Sequence, residues 1–344
     1  MMKPIAIHDL SRYRGELMGI AMLVVMLFHV GGNRHETIWL CMGRCGNVGV
    51  DMFLFLSGIG LWYSLSSRPS SREGSPVSLP WGGVRGRLST FYRRRLLRIY
   101  PAWLLLSSLY YVPLYVEGKF TLWQTIGNVL IGWRLWSGFV DEFWFIPMIL
   151  AFYLLAPFYI MLIRKYSMWR WLPVLAMVFC VLLQYWKPLN GALGHLEILF
   201  SRVPIFLLGI NAGQWVKEER QLEPHAFWLL LLVFVLSFGV CINFENGLRG
   251  RFPLFMERMV YIPLTVSALL LLCKALAYLP QWGLKGLAFV GTVSLELYLV
   301  HVNFVLKYLR PYDLGYWGTM FLMTAIALLL AWIIHKLLSL LPWK

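Results

Sequence analysis

Two ionisable residues stand inside apolar runs near the start of the chain. His29 is next to last in the run Leu17 to Val30, and Asp51 lies within Gly49-Val50-Asp51-Met52-Phe53-Leu54-Phe55-Leu56-Ser57-Gly58. Such groups are costly in hydrocarbon and mark a site when they occur there. A histidine beside a carboxylate makes a general base, because the acid fixes the tautomer and stabilises the imidazolium formed on proton capture. The same pair can instead pin two helices together, and these residues alone leave both readings open. A third feature is the cluster Arg93, Arg94, Arg95 and Arg98 ahead of Ile99-Tyr100-Pro101. Arg95 and Arg98 are spaced i, i+3 and share a helix face, which suits gripping a phosphate. Arginine rather than lysine throughout favours that use, although positive-inside residues touching anionic lipid give the same pattern.

Weaker candidates lie further along. His301 falls in the outer half of a late apolar run, where it can face His29 across a bundle, with Glu296 deeper on the same helix. For both, a structural hydrogen bond competes with a role at the site. Trp133, Trp136, Asp141, Glu142 and Trp144 gather around one connecting segment. Aromatics beside carboxylates suit a sugar acceptor, and an interfacial aromatic belt produces the same cluster. Glu257 and Arg258 stay ambiguous, and Ser57 reads as close helix packing rather than a nucleophile. The five cysteines form no metal pattern; Cys41 and Cys45 share a short loop, and free thiols are the expected state.

The elements that must position these residues are membrane spans. Of 344 residues, 59% are hydrophobic and 14% charged, too little polar surface to cover a water-facing globule. The predicted fold class is an all-α polytopic membrane protein, a bundle of about ten transmembrane helices. Runs of spanning length fall near 17–31, 47–66, 99–116, 143–163, 171–187, 198–216, 226–243, 256–278, 286–308 and 317–340. The stretch 120–136 reads as interfacial, re-entrant or spanning. The first run has no cleavage site and reads as a retained span. With the N-terminus inside, cytoplasmic segments carry 20 of the 31 Lys and Arg, eight of them in 68–98, so both termini are expected in the cytoplasm. That orientation also accounts for the net charge of +15 without nucleic acid. The chain 1–344 reads as a single transmembrane domain with a basic cytoplasmic loop at about 66–98 and no appended soluble domain.

The order of these pieces resembles the integral-membrane acyltransferase-3 family, whose bacterial members acylate glycans. The matching segments are Gly19-Ile20-Ala21 through Leu27-Phe28-His29, the Asp51 segment, and Arg94-Arg95-Leu96-Leu97-Arg98-Ile99-Tyr100-Pro101. They continue with Phe143-Trp144-Phe145-Ile146-Pro147, Arg202-Val203-Pro204-Ile205-Phe206-Leu207-Leu208-Gly209 and Ser294-Leu295-Glu296-Leu297-Tyr298-Leu299-Val300-His301. Together they cover nearly the whole chain.

The resemblance implies that His29 is the catalytic base, with Asp51 at the polar position of the second span. It also implies that Arg95 and Arg98, with Arg94 beside them, hold the phosphorylated end of coenzyme A. The family's usual basic residue eleven positions before the histidine is here Met18; Arg14, one turn earlier on the same face, is expected to replace it. Trp144, Glu142 and His301 are the expected acceptor-side residues. No metal and no tightly bound cofactor is expected. Acyl-CoA, most commonly acetyl-CoA in the family, would be the co-substrate, and a glycan or other hydroxyl-bearing molecule the acceptor. The expected location is the bacterial cytoplasmic membrane, with the lipid bilayer as partner, no nucleic acid, and a homo-oligomer compatible with the sequence. The competing class is a transporter using the intramembrane ionisable groups as a pathway. It needs no arginine cluster at one face, and matching interrupted helices in two halves are not evident in the sequence.

Overall fold

Apolar runs this long satisfy their backbone groups in hydrocarbon only by becoming helices, because each N–H then finds a carbonyl in its own segment. The computed structural model describes residues 4–31, 44–66, 81–246, 248 and 250–341. Cys41 and the 67–80 part of the basic loop lie outside the described residues. The main helices are α1 (Arg14–Val30), α2 (Val48–Ser66), α3 (Trp81–Val116), α4 (Leu122–Ile131), α5 (Phe145–Lys165), α6 (Leu172–Tyr185), α7 (Val203–Lys217), α8 (Ala226–Asn246), α9 (Leu254–Leu276), α10 (Gln281–Thr292), α11 (Ser294–Val300) and α12 (Gly315–Ser339).

Among the described residues, seven helices are long and apolar enough to cross a membrane, or nine if each of two bent pairs is one span. The bent pairs are Lys187–Phe200 with α7, at 45°, and α10 with Ser294–Leu309, at 61°. Helix α1, with 17 residues, is about 25 Å long and reads as a further crossing. The protein is therefore an all-α, multi-pass membrane protein. In the sequence these two runs read as continuous spans, without these breaks. The break at Val293 has no proline, so periodicity does not reveal it.

Segment 120–136 does not span. Helix α4 has 10 residues, about 15 Å of rise against a core near 30 Å. Thr121 and Gln124 form a capping box at its start, and Gly132 ends it in a left-handed conformation (φ 64°). The helix runs back along α3: Phe120 meets Tyr111 ring to ring, while the Tyr100 hydroxyl donates to the Leu130 carbonyl at 2.5 Å.

Two close approaches set the middle of the bundle. A Cβ at Gly19 of α1 would run into the Leu287 carbonyl of α10, and one at Gly291 into the Gly15 carbonyl. Likewise Gly58 of α2 and Gly209 of α7 each meet the other helix's backbone. Small residues let helix backbones touch where the surrounding lipid offers no hydrophobic drive to associate. By contrast α8 turns Leu229, Leu232, Val235 and Leu236 outward, as a lipid-facing helix should.

The two short strands report on sidedness. Ile5–Ala6 pairs antiparallel with Gln221–Leu222, which follows α7. An even number of crossings must separate the two strands, so His29, at the far end of α1, lies on the opposite side of the bundle.

Candidate active site

His29 sits in the last turn of α1, part-buried, and its two ring nitrogens meet different surroundings. Its Nδ1 lies 2.8 Å from the Val25 carbonyl and 3.3 Å from Nε2 of His301. Its Nε2 faces the Glu142 carboxylate at 3.5 Å. The carboxylate near His29 is thus Glu142 and not Asp51.

That is a correction to the expected His29–Asp51 pair, and its physical reason is a stronger partner. Asp51 is 1% exposed, and its Oδ1 forms a short ion pair with Arg202, which is wholly buried at the start of α7. A second guanidinium nitrogen of Arg202 donates to Asn47 at 2.8 Å, and its plane lies 5.0 Å from the Trp144 ring. A buried charge needs an opposite charge in direct contact, and the neighbouring helix supplies one. In the sequence Arg202 entered only as the first residue of a family-matching segment and not as a site candidate. The signal was present: a lone arginine leading an apolar span demands a buried acid, and few acids lie within spans.

Glu142 is held by its backbone. Tyr298 donates its hydroxyl to the Glu142 carbonyl at 2.6 Å and accepts from the Phe145 amide at 3.3 Å. Next to it, Asp141 caps the Phe143 amide at 3.0 Å, accepts from the Tyr111 hydroxyl and pairs with Arg134 at 3.4 Å. A loop that would otherwise be mobile is fixed where it presents the carboxylate. The hydrogen bond with His29 holds the Glu142 carboxyl below the ordinary carboxylate range, whereas burial raises that of Asp141.

A narrow cleft of about 80 Å³ leads away from this end. It passes Val25, Val50, Phe145 and Tyr298, then Ile146 and Ile149, and reaches Ser57, Tyr153, Met18, Arg14 and Arg98. Arg14 and Arg98 thus come together although they lie 84 positions apart in the chain. Arg14 donates to the Leu56 carbonyl at 3.3 Å. Fifteen residues along α1 separate it from His29, about 22 Å. Arg98 lies about 7.5 Å along α3 below Trp103, whose ring meets Phe143 at 5.5 Å. Arg98 is exposed and Arg14 is the first residue of α1, so the arginine pair stands at the end of α1 remote from His29.

The remaining candidates are dispersed. Arg95 stacks between Phe91 and Tyr153, at 5.6 and 5.5 Å, beside the cleft. Arg94 is exposed and does not line it. Glu296 accepts from or pairs with His335 at 2.9 Å, a structural contact between α11 and α12. Ser57 accepts from the Tyr153 hydroxyl at 3.4 Å, and Glu257 shares Tyr261 with Glu245. Among the described residues no group of three or more His, Cys, Asp or Glu could hold a metal ion.

Chemically, the arrangement offers a histidine with one nitrogen anchored and one facing a carboxylate, and beside it, from Val25 and Tyr298, a largely apolar cleft that runs to a pair of arginines. No curated protein and no solved structure matches the chain. A family model described as an acyltransferase domain, that of the acyltransferase-3 family, matches residues 17–336. The chain therefore belongs to the acyltransferase-3 family and is a multi-pass membrane acyltransferase.

Proposed function

We propose that the protein moves a short acyl group, acetyl being the first to test, from cytoplasmic acyl-CoA to a hydroxyl of a glycan or similar acceptor on the opposite side. The observation that carries this reading is the cleft that runs from Arg14 and Arg98 to Val25 and Tyr298, whose backbone carbonyl and hydroxyl contact His29 and Glu142 respectively. The phosphates of coenzyme A would pair with Arg14 and Arg98, with Arg95 beside them. Guanidinium forks match phosphate oxygens, and the pantetheine arm would lie along the apolar middle. The thioester would then stand near His29. The basic excess of the segments on the arginine side supports assigning that side to the cytoplasm of a bacterial inner membrane.

His29 Nε2 takes the acceptor hydroxyl proton as its oxygen attacks the thioester carbonyl. The carbon–sulfur bond breaks, the new ester leaves, and the thiolate takes the proton back from His29. Glu142, on the same side of the ring, orients the hydroxyl and offsets the imidazolium charge.

Arg14→Ala or Arg98→Ala should weaken acetyl-CoA binding about tenfold to a hundredfold, the scale of one charge-assisted hydrogen bond. Titration of the reconstituted protein with acetyl-CoA reads it. Unchanged affinity in both variants would remove the donor site from this cleft.

A further inference from the structure

The chain's usual helical repeat breaks where His301 begins. Residues His301–Leu306 form a π-helical turn between α11 and Lys307–Leu309. Such turns are uncommon and concentrate at functional positions, because they rotate one side chain out of the register a regular helix would give it. His301 is 1% exposed, so water does not decide its hydrogen bonding. Its Nδ1 lies 2.8 Å from the Tyr298 carbonyl and 3.1 Å from the Leu297 carbonyl. Carbonyl oxygens only accept, so Nδ1 carries the proton and, in the neutral ring, Nε2 carries the lone pair. That lone pair points at Nδ1 of His29, 3.3 Å away. The other neighbour of His29 Nδ1 is also an acceptor, the Val25 carbonyl at 2.8 Å. Two acceptors converge on Nδ1, which therefore keeps a proton. The Glu142 carboxylate, 3.5 Å from Nε2, is an acceptor as well, so Nε2 holds a proton towards it in the imidazolium and is the nitrogen that gives one up in the neutral ring.

We infer that His301 is a positioning residue that, with the Val25 carbonyl, holds His29 in the Nδ1–H tautomer and so leaves Nε2 as the base. This deepens the reading above and rests on His29 being the base. In a Ser-His-Asp arrangement the orienting group on Nδ1 is a carboxylate. Here that position is filled by a neutral imidazole and a carbonyl, and the one carboxylate, Glu142, stands on the Nε2 side. The ring is therefore aimed from its Nδ1 side by groups that carry no charge, and Glu142 accepts from Nε2–H when the ring is the imidazolium. Tyr298 ties the two halves together: its carbonyl fixes His301, and its hydroxyl fixes the Glu142 backbone.

The test compares three variants of the full chain in nanodiscs. His301→Ala removes the acceptor. His301→Gln keeps an oxygen where Nε2 stood. His29→Ala removes the base itself. Two readouts are used: acetyl transfer from acetyl-CoA to the glycan fraction, and ¹⁵N spectra of the His29 ring, identified by its loss in His29→Ala. The wild type should show His29 protonated at Nδ1. His301→Ala should lower kcat about tenfold to a hundredfold with acceptor KM unchanged, and shift His29 towards the Nε2–H tautomer. His301→Gln should restore most of both.

A neutral ring protonated at Nε2 and bare at Nδ1 in the wild type would overturn the inference, as would full kcat with an unchanged spectrum in His301→Ala. A raised acceptor KM with kcat kept in His301→Ala would make His301 a substrate contact, which also overturns it. Full transfer by His29→Ala would instead defeat the base assignment, and the tautomer readout keeps the two failures apart. If His301→Ala does not fold, His301→Gln against His301→Lys carries the test, since lysine sets a donor against a donor. The expected result is activity retained in the first and lost in the second; equal activity in both overturns the inference.

Discussion

At the scale of the residue, two carboxylates, one buried within a helix and one half-exposed on a loop, have taken different partners. Asp51 neutralises the buried Arg202 and Glu142 faces His29. Removing the acid from a buried pair leaves an uncompensated charge and costs about 3–5 kcal/mol, whereas replacing both partners with apolar groups of similar shape is nearly neutral. Asp51→Leu should accordingly abolish the folded protein or lower its melting temperature markedly. Asp51→Leu combined with Arg202→Met should recover much of that loss in a detergent-solubilised thermal melt. If Asp51 serves only this pair, the recovered double variant keeps acyl transfer. Glu142 gives a pH expectation. Its folded-state pKa is depressed, so its contribution is present above the ordinary glutamate range, near 4.3, and is lost as acid carries the pH through the depressed value. The ratio of wild-type to Glu142→Gln kcat/KM should stay level from pH 7 to about 5 and approach one only below the ordinary glutamate pKa. A ratio that falls between pH 7 and 6 would mean that Glu142 is not the ionised partner of His29.

At the scale of the element, the apolar runs were legible one by one, because spanning length and composition suffice to name a membrane helix. The interruption of two of them was not. Helix α10 and its continuation break at Val293, where no proline marks the turn, and the π-helical turn at His301 has no residue signature either. The break is set by what surrounds it. Helix α10 must lie flat enough for Gly291 to touch α1 at Gly15, while α11 must turn to carry His301 to His29. Segment 120–136 resisted reading for a related reason: its capping box and left-handed Gly132 define a helix, but only packing against α3 decides where it lies. Gly291→Val should therefore separate α10 from α1, cost about 1–3 kcal/mol or more by overpacking, and displace the two histidines together. A loss of thermal stability with a parallel loss of transfer is the expected outcome, and Gly239→Val on α8, where no atom lies within 4 Å, is the matched control.

At the scale of the whole molecule, charge and span counting predicted a two-ended protein, and the family match gives it a class of chemistry. The candidate site was half legible. His29 stood out because imidazole in an apolar run needs a reason, and Arg14 only through the family resemblance, which expects a basic residue one turn later, at Met18, on the same helix face. The identity of the carboxylate did not, since depth along two antiparallel helices does not say which acid another helix will claim. Arg202 claimed Asp51, and a loop held by Tyr298 and Tyr111 delivered Glu142 in its place.

Transfer across the bundle through His29 is tested most directly in sealed inside-out membrane vesicles that enclose the glycan acceptor. Radiolabelled acetyl-CoA is supplied to the outer, formerly cytoplasmic, face. Label should appear on the enclosed glycan with the wild-type protein, and His29→Ala at equal abundance should reduce its initial rate by about a hundredfold or more. Equal labelling by His29→Ala, or labelling only when acetyl-CoA is trapped inside, would contradict the two-sided mechanism.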